Sequence, residues 1–482
     1  MLKGMERAAA RRRIGPDGLR ALDPAAGAAG TDRLPKIRHI VVLMMENHSY
    51  DNYLGMLARG GAGFTLGADG TPAETNPNAA GAEVPLWYSP RTVQWHHVPT
   101  QTWNASHIQW DGGACDGFVR SIEQTMPDHD GAAPLRYWTE AELPFYYGLA
   151  RTFPLATRWF SSCLGPTFPN RRFLISGTAH GLIDDLPYAL IDYPEAGTIF
   201  DHLSAHDISW TNYHQVAASK EGLRRLTHAR QLGYLRVLGG GVAGSVPGMM
   251  PRLESKLQFT ADMYPLDVLR RINHLRPVAD FFTAAAAGSL PSVSFVDPDF
   301  SVTSEENPQD IQLGEAFAAQ VINAVMGGPG WPGTLLVWLY DEHGGYYDHV
   351  PPPAAAAPDD VPARGAYDKF PVLRLLRKTA LGRKLTAADT GPSTYTQLGF
   401  RVPAVIVSPY ARPDYVTDQV YDHTAILRLI QRKWNLPPMT RRDAAAADLL
   451  EAVDLDGPGA FLTPPVLPEP GLRSAGNAPG GS

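Results

Sequence analysis

Glu46, Asn47, Asp341 and Glu342 form two adjacent pairs of oxygen-bearing side chains in distant parts of the chain. Carboxylates and a carboxamide are ligands for hard or borderline divalent cations, and two such pairs brought together would make one site. A single acidic pair after an apolar run more often opens a solvated loop; two of them reverse that balance. Gly344-Gly345 follows the second pair and His343, and a loop without side chains lets its backbone approach a ligand closely. The third element is Thr167, in GPTFPNRRFLISG (Gly165 to Gly177). Its place two residues before Pro169 predicts a helix N-cap, with Gly177 as the stop. Capping is the bland role for that hydroxyl. Nucleophilic attack is the chemical one, because a helix N-terminus offers positive potential and N–H groups that stabilise an alkoxide and bind a phosphoryl group. A cation on the same oxygen would complete the activation. Spacing alone weighs the two roles equally. Asn170 and Arg171, one turn on, are candidates to hold phosphoryl oxygens.

Both acidic pairs follow unbroken apolar runs, Ile40 to Met45 (IVVLMM) and Thr334 to Tyr340 (TLLVWLY). Runs without polar alternation suit strands buried on both faces, as in a parallel sheet covered by helices. In such sheets ligands bind outside the carboxyl ends of the strands. Further strands are predicted from Ile208 to Tyr213, Val293 to Val296 and Val402 to Val407, ending at His214, Asp297-Pro298-Asp299 and Ser408-Pro409. Helices are predicted from Leu313 to Met326 and from His423 to Trp434. This alternation gives an α/β sandwich with its ligand groups at one sheet edge. One domain over residues 35–455 is expected, with a flexible lead over 1–34 and a disordered tail over 456–482; Pro351 to Asp360 reads as a loop.

The 482 residues are 44% hydrophobic and 19% charged, an ordinary globular composition. A formal net charge of −7 argues against a nucleic-acid binder with a basic surface. No stretch approaches the roughly 20 apolar residues of a transmembrane segment. Cys115 and Cys163 read as two inert thiols rather than a disulfide. Arg11-Arg12-Arg13 invites a twin-arginine export reading, but IGPDGLRALDPAAGAAG after it has no apolar core. The expectation is a cytoplasmic protein, or a periplasmic or secreted one should the true start encode an export signal. Aromatic residues crowd the stretch from Trp87 to Tyr147, among them Trp95, Trp103, Trp110, Tyr137 and Trp138. Packing under long loops is favoured over a cage for a quaternary ammonium.

ENHSYDNYLG, GPTFPNRRFLISGT, DGGACDGFV, YDEHGGYYDHVPPP and YDHTAILRLI together resemble the bacterial phosphoesterase family of phospholipases C and acid phosphatases, within the alkaline-phosphatase-like superfamily. The resemblance covers roughly residues 36 to 440. It implies a three-layer α/β/α sandwich with a mostly parallel central sheet. It implies one divalent metal ion (Ca, Mg, Mn or Zn) on Glu46, Asn47, Asp341, Glu342 and Thr167, with His343 supporting a ligand. Thr167 would attack phosphorus to give a phospho-threonine. His107, His214 and His423 would donate to phosphoryl oxygens or protonate the leaving group, although His423 is an equal candidate to cap its helix. The implied partner is a small phosphoester or phospholipid head group. Two positions depart from the pattern: Asn307 stands where the family has a histidine, and Gln101 replaces another upstream. Amides still bond a phosphoryl oxygen but transfer no proton at neutral pH, so leaving-group protonation is weakened. The implied activity is a metal-dependent phospholipase C-type phosphodiesterase. A phosphomonoesterase, or a low-activity binding protein on the same scaffold, is the alternative.

Overall fold

The run from His39 to Met45 becomes a seven-residue strand, β1, with every residue after His39 buried. The computed structural model describes residues 2–96, 98–185, 193–214, 260–264, 269–364, 392 and 394–471. Its other sheet strands are β2 (Leu155–Ala156), β3 (Trp210–His214), β4 (Leu275–Pro277), β5 (Val293–Val296), β6 (Thr334–Tyr340), β7 (Ala404–Val407) and β8 (Val416–Thr417). They form one eight-stranded sheet in the order β8-β2-β7-β6-β1-β5-β3-β4. Only β7 runs against its neighbours. All seven residues of β6 are buried, so the two central strands face apolar layers on both sides.

Register sets what leaves the sheet together. Met45 pairs with Tyr340, so Glu46 and Asp341 emerge side by side. Val296 pairs with Leu43 on one side and Tyr213 on the other, bringing Asp297 and His214 to the same edge. β3 runs one residue further than expected and includes His214.

The helices that matter below are α1 (Leu2–Ile14), α2 (Trp103–Trp110), α3 (Thr167–Ser176), α4 (Ile199–Ala205), α5 (Val278–Ala286), α6 (Ile311–Gly327) and α7 (Thr424–Trp434). Asp310 caps α6 by accepting from Gln312 N at 3.1 Å, and Phe317, Val321, Ile322 and Val325 are buried at the apolar spacing of one helix face. α7 buries Ile426, Leu427, Leu429 and Ile430 and ends where Asn435 turns left-handed at φ 52°. The α/β sandwich with a mostly parallel sheet is as the sequence predicts.

Both ends are more ordered than their composition suggests. α1 lies inside the expected flexible lead, yet Ala10 and Ile14 bury against Ala205 of α4. Arg13 pairs with Asp201 at 2.6 Å, and Arg11 donates to Ala205 O at 3.0 Å. In the expected disordered tail, Phe461 O accepts from Trp331 Nε1 at 2.7 Å and Gly471 N donates to Glu315 Oε2 at 2.9 Å; residues 472–482 lie outside the described residues. A few long-range polar contacts anchor segments that have no hydrophobic periodicity to betray them.

Candidate active site

The two strand-end loops converge at the carboxyl edge of β1 and β6. Glu46, Asn47, Asp341 and Glu342 are all buried there. Asn47 adopts a left-handed φ of 70°. Gly344, at φ 66°, packs so closely that a Cβ would sit 1.9 Å from Asn47 O, so no other residue fits without moving a loop. The Asn47 amide faces Asp341 Oδ1 at 3.0 Å and Glu342 Oε1 at 2.7 Å, contacts it satisfies with its nitrogen turned toward both carboxylates.

Thr167 comes to this point from α3. Pro166 is the N-cap and Thr167 the first helical residue, correcting the expected cap by one position; the Thr167 hydroxyl is directed to Asn47 rather than to a backbone N–H of the helix. Its Oγ1 lies 3.3 Å from the Asn47 amide. Gly177 ends the helix at φ 71°, as predicted. Asn170 faces back into the preceding loop: its oxygen accepts from Cys163 N at 3.0 Å, and its nitrogen donates to Gly165 O at 2.8 Å and Pro166 O at 3.0 Å. It shapes the turn that presents Thr167. Arg171 is fully buried and spends its donors on the protein: Asp341 Oδ2 at 2.9 Å, Asp297 Oδ1 at 3.1 Å, Thr260 Oγ1 at 3.3 Å, and the carbonyls of Met44 and Met45. It is the counter-ion of the carboxylates.

The edge is strongly acidic. Burial pushes Glu46 well above the usual carboxylate range, with Glu306 and Asp341 adding to it and Arg171 opposing. Burial and Asp341 raise Glu342 likewise; Asp341 is raised by burial against the pull of Arg171. Two further members went unnoticed in the sequence. Glu306 is pushed up to about 8 by burial, Asp185 and Asp341, and it raises Glu46 in turn, so it belongs to the same acidic edge. Asp185 is pushed up to about 7 by burial, and its Oδ1 accepts from Phe168 N at 3.0 Å, taking one of the N–H groups at the start of α3. Neither follows a buried strand directly, the only signal used to find the others.

The histidines divide. His343 is neutral, lowered to about 3 by burial; its Nε2 donates to Gln109 Oε1 at 2.7 Å and its Nδ1 lies 3.4 Å from Glu342 Oε2. Gln109, on α2, was also missed. His423 accepts Trp159 Nε1–H at 3.3 Å on Nδ1 and donates from Nε2 to Asp341 O at 2.6 Å, so it pins the loop after β6 and caps nothing. His214, buried near Asp297, is lowered to about 4 by burial. His107, on α2, donates from Nδ1 to Trp103 O at 2.6 Å. Asn307 sits between Val98 O at 2.9 Å and Tyr346 Oη at 2.9 Å, so both ends of its amide are engaged away from the carboxylates.

The dense aromatic stretch encloses an internal cation. The Arg136 guanidinium lies 4.6 Å from the Trp138 ring centroid, 5.0 Å from Trp95 and 5.8 Å from Trp87. Packing, as favoured, accounts for these rings.

Among the described residues no three His, Cys, Asp or Glu side chains close into a metal cage on their own. Residues that could hold a divalent ion are the Glu46, Asp341 and Glu342 carboxylates and the Thr167 hydroxyl, with the Asn47 amide joining them only when its oxygen rather than its nitrogen faces the carboxylates. Glu46 Oε2 is buried without a hydrogen-bond partner. Such an orphaned oxygen in a carboxylate-rich edge with one guanidinium is chemistry that a hard or borderline cation satisfies.

The family model described as the Phosphoesterase family matches residues 37–437. Non-specific phospholipase C6 of Arabidopsis thaliana is 27% identical over 443 residues, covering 86% of this chain and 72% of the relative. Phospholipase C A of Mycobacterium tuberculosis is 27% identical over 464 residues, covering 91% and 80%. Hemolytic phospholipase C of Pseudomonas aeruginosa is 25% identical over 473 residues, covering 91% and 58%.

Proposed function

The chain belongs to the phosphoesterase family and is a phosphoric ester hydrolase, and from that premise we propose a phospholipase C-type phosphodiesterase acting through phospho-Thr167 with one divalent metal ion. The single observation that carries this reading is the Thr167 hydroxyl, which is directed to the Asn47 amide, 3.3 Å away among the carboxylates, rather than to a backbone N–H of its helix. Glu46, Asn47, Asp341, Glu342 and Thr167 would hold the ion (Ca²⁺, Mg²⁺, Mn²⁺ or Zn²⁺). Bound there, it would lower the hydroxyl's pKa and offset charge on the transferred group.

The chain's own residues account for the rest. Thr167 Oγ1 attacks phosphorus as the bond to the leaving alcohol breaks; the hydroxyl proton is lost and the departing oxygen gains one. Water then cleaves phospho-Thr167, restoring the hydroxyl and releasing the phosphorylated head group. Arg171 holds Asp341 in place, and His423 fixes its backbone. With His423 spent on Asp341 O, leaving-group protonation falls to His107 and His214, and burial lowers the pKa of both, which makes them weak acids for that step. The relatives' names point to a phospholipid head group as substrate. No helix among the described residues is long and apolar enough to cross a membrane, so a lipid would be met from outside the bilayer core.

The test is a hydrolysis panel on chelator-treated protein with each of the four ions restored, comparing p-nitrophenylphosphorylcholine with p-nitrophenyl phosphate. The diester should be cleaved faster, only with metal, and an acid quench should trap phosphate on Thr167 by mass spectrometry. Activity indifferent to chelation sinks the metal, an unmodified Thr167 under turnover sinks the covalent route, and a preference for the monoester makes the protein a phosphomonoesterase.

A further inference from the structure

The two ligand-bearing loops are joined a second time, well beyond the ligands. Asp51 and Asp348 are fully buried, Asp51 in the first turn of the short helix Tyr50–Leu54 that follows the first loop and Asp348 at the far end of the second, and Arg401 spans them. Its Nε donates to Asp348 Oδ1 at 2.8 Å and its Nη2 to Asp51 Oδ1 at 2.8 Å. Nη1 reaches the carbonyls of Ala62 at 3.1 Å and Thr157 at 3.2 Å, and the guanidinium lies 4.5 Å from the Tyr50 ring centroid. Direct bonds between the loops complete the joint. Asp51 Oδ2 accepts from His349 N at 2.7 Å and faces His349 Nδ1 at 2.6 Å. Asp51 N donates to Asp348 Oδ2 at 3.3 Å, and Ser49 Oγ donates to Tyr347 O at 2.6 Å.

Stability alone is a poor reason for this arrangement. Two buried carboxylates and one guanidinium carry a heavy desolvation cost, and apolar residues of similar volume would often hold a core as well or better. What a planar guanidinium supplies is geometry: two carboxylates from different loops are fixed at once by a fork that a point-charge ammonium lacks. At their near ends the same loops meet at Asn47 and Gly344 with no room for a side chain. Clamped at both ends, each loop has little freedom to move its ligands relative to the other.

We propose that Asp51, Arg401 and Asp348 are positioning residues that set the separation of the two ligand loops, and through it the site's affinity for a divalent ion and the rate of the chemical step. They touch neither ion nor substrate and act through Asn47 and Glu342. The metal half of this statement rests on the function proposed above; the rate half does not.

The test uses the full chain with Arg401→Lys, which keeps the charge but not the fork, and Mn²⁺ alone as the calorimetric probe. Losing an outer-shell support should weaken Mn²⁺ binding about 10- to 100-fold. A small misplacement of the ligands should lower kcat on p-nitrophenylphosphorylcholine by about 100-fold. KM should hold within about 3-fold, because substrate contacts remain. Arg432→Lys, in the exposed pair with Asp448, should change neither. Should Arg401→Lys fail to fold by circular dichroism, Asp348→Asn carries the same expectations. A folded variant with a lowered Tm but parental Mn²⁺ affinity and kcat overturns the proposal, since that is what a merely structural clamp gives. If the parent binds no divalent ion, the metal reading fails by itself, and the kcat ratio alone decides the clamp.

Discussion

Two buried glutamates, Glu46 and Glu305, lie in neighbouring regions with opposite fates. Both carboxyls are pushed up by burial, Glu305 to about 8. Glu305 receives three phenols: Tyr53 at 2.7 Å, Tyr146 at 2.5 Å and Tyr340 at 2.5 Å. Glu46 Oε2 receives nothing. A buried charge or a raised pKa therefore does not mark a working site here. What sets Glu46 apart from Glu305 is a carboxylate oxygen that no protein donor reaches, the atom that the proposed cation would use.

The comparison can be broken most decisively at Thr167. Thr167→Ala should lower kcat by about 10³-fold or more, as loss of a nucleophile does, with thermal stability nearly unchanged because the hydroxyl is directed to Asn47 rather than to a helix N–H. Thr167→Ser should retain activity. Parental turnover in the alanine variant would move the reaction elsewhere on the protein.

Next in size is the glutamate pair itself. Glu305→Ala strands three buried hydroxyls and should cost about 3 kcal/mol or more in urea unfolding, at roughly 1–3 kcal/mol per unsatisfied group. Its effect on kcat should be small by comparison. Glu46→Gln should do the reverse, abolishing most activity while leaving the metal-free protein as stable or more so. Swapped outcomes would show that the phenol-lined pocket, not the sheet edge, runs the chemistry.

The pH dependence sharpens the same contrast. The folded state holds the Glu305 proton up to about 8, whereas an unfolded chain releases it near 4.5. Between those values the folded protein binds more protons, so this group's contribution to stability falls as pH rises. Glu305→Gln should flatten the stability profile over that window, and an unchanged slope by urea titration would mean that the phenols already hold an ionised carboxylate.

Smallest is Arg136→Met, which removes contacts to several rings and should cost about 1–2 kcal/mol in thermal unfolding, with kcat unaltered. A large fall in kcat would reopen the aromatic stretch as part of the site.

Much of this was legible in the sequence. β5 and β6 keep their predicted limits, and the acidic pairs meet because apolar runs without alternation become central parallel strands. Thr167 was found through helix punctuation, though displaced by one position. What escaped notice belongs to tertiary context. Nothing local marks Asp185 or Glu306, which reach the edge from loops, nor the engagement of Asn170 and Arg171 with the protein itself. Arg136 shows why composition misleads: a crowd of tryptophans reads the same whether its cation is a ligand or a neighbour in the chain.

β6 hands its last residue, Tyr340, to Glu305 and the next, Asp341, to Arg171 at the acidic edge, while seven consecutive pairs hold it against β1. Side chains on a strand alternate with period two, so losing or gaining one residue would send a phenol to the acidic edge and a carboxylate under the sheet. Over evolutionary time such a site tolerates substitution and loop growth but not insertion or deletion within these strands, and homologues should vary in length everywhere except between His39 and Glu46 and between Thr334 and Glu342.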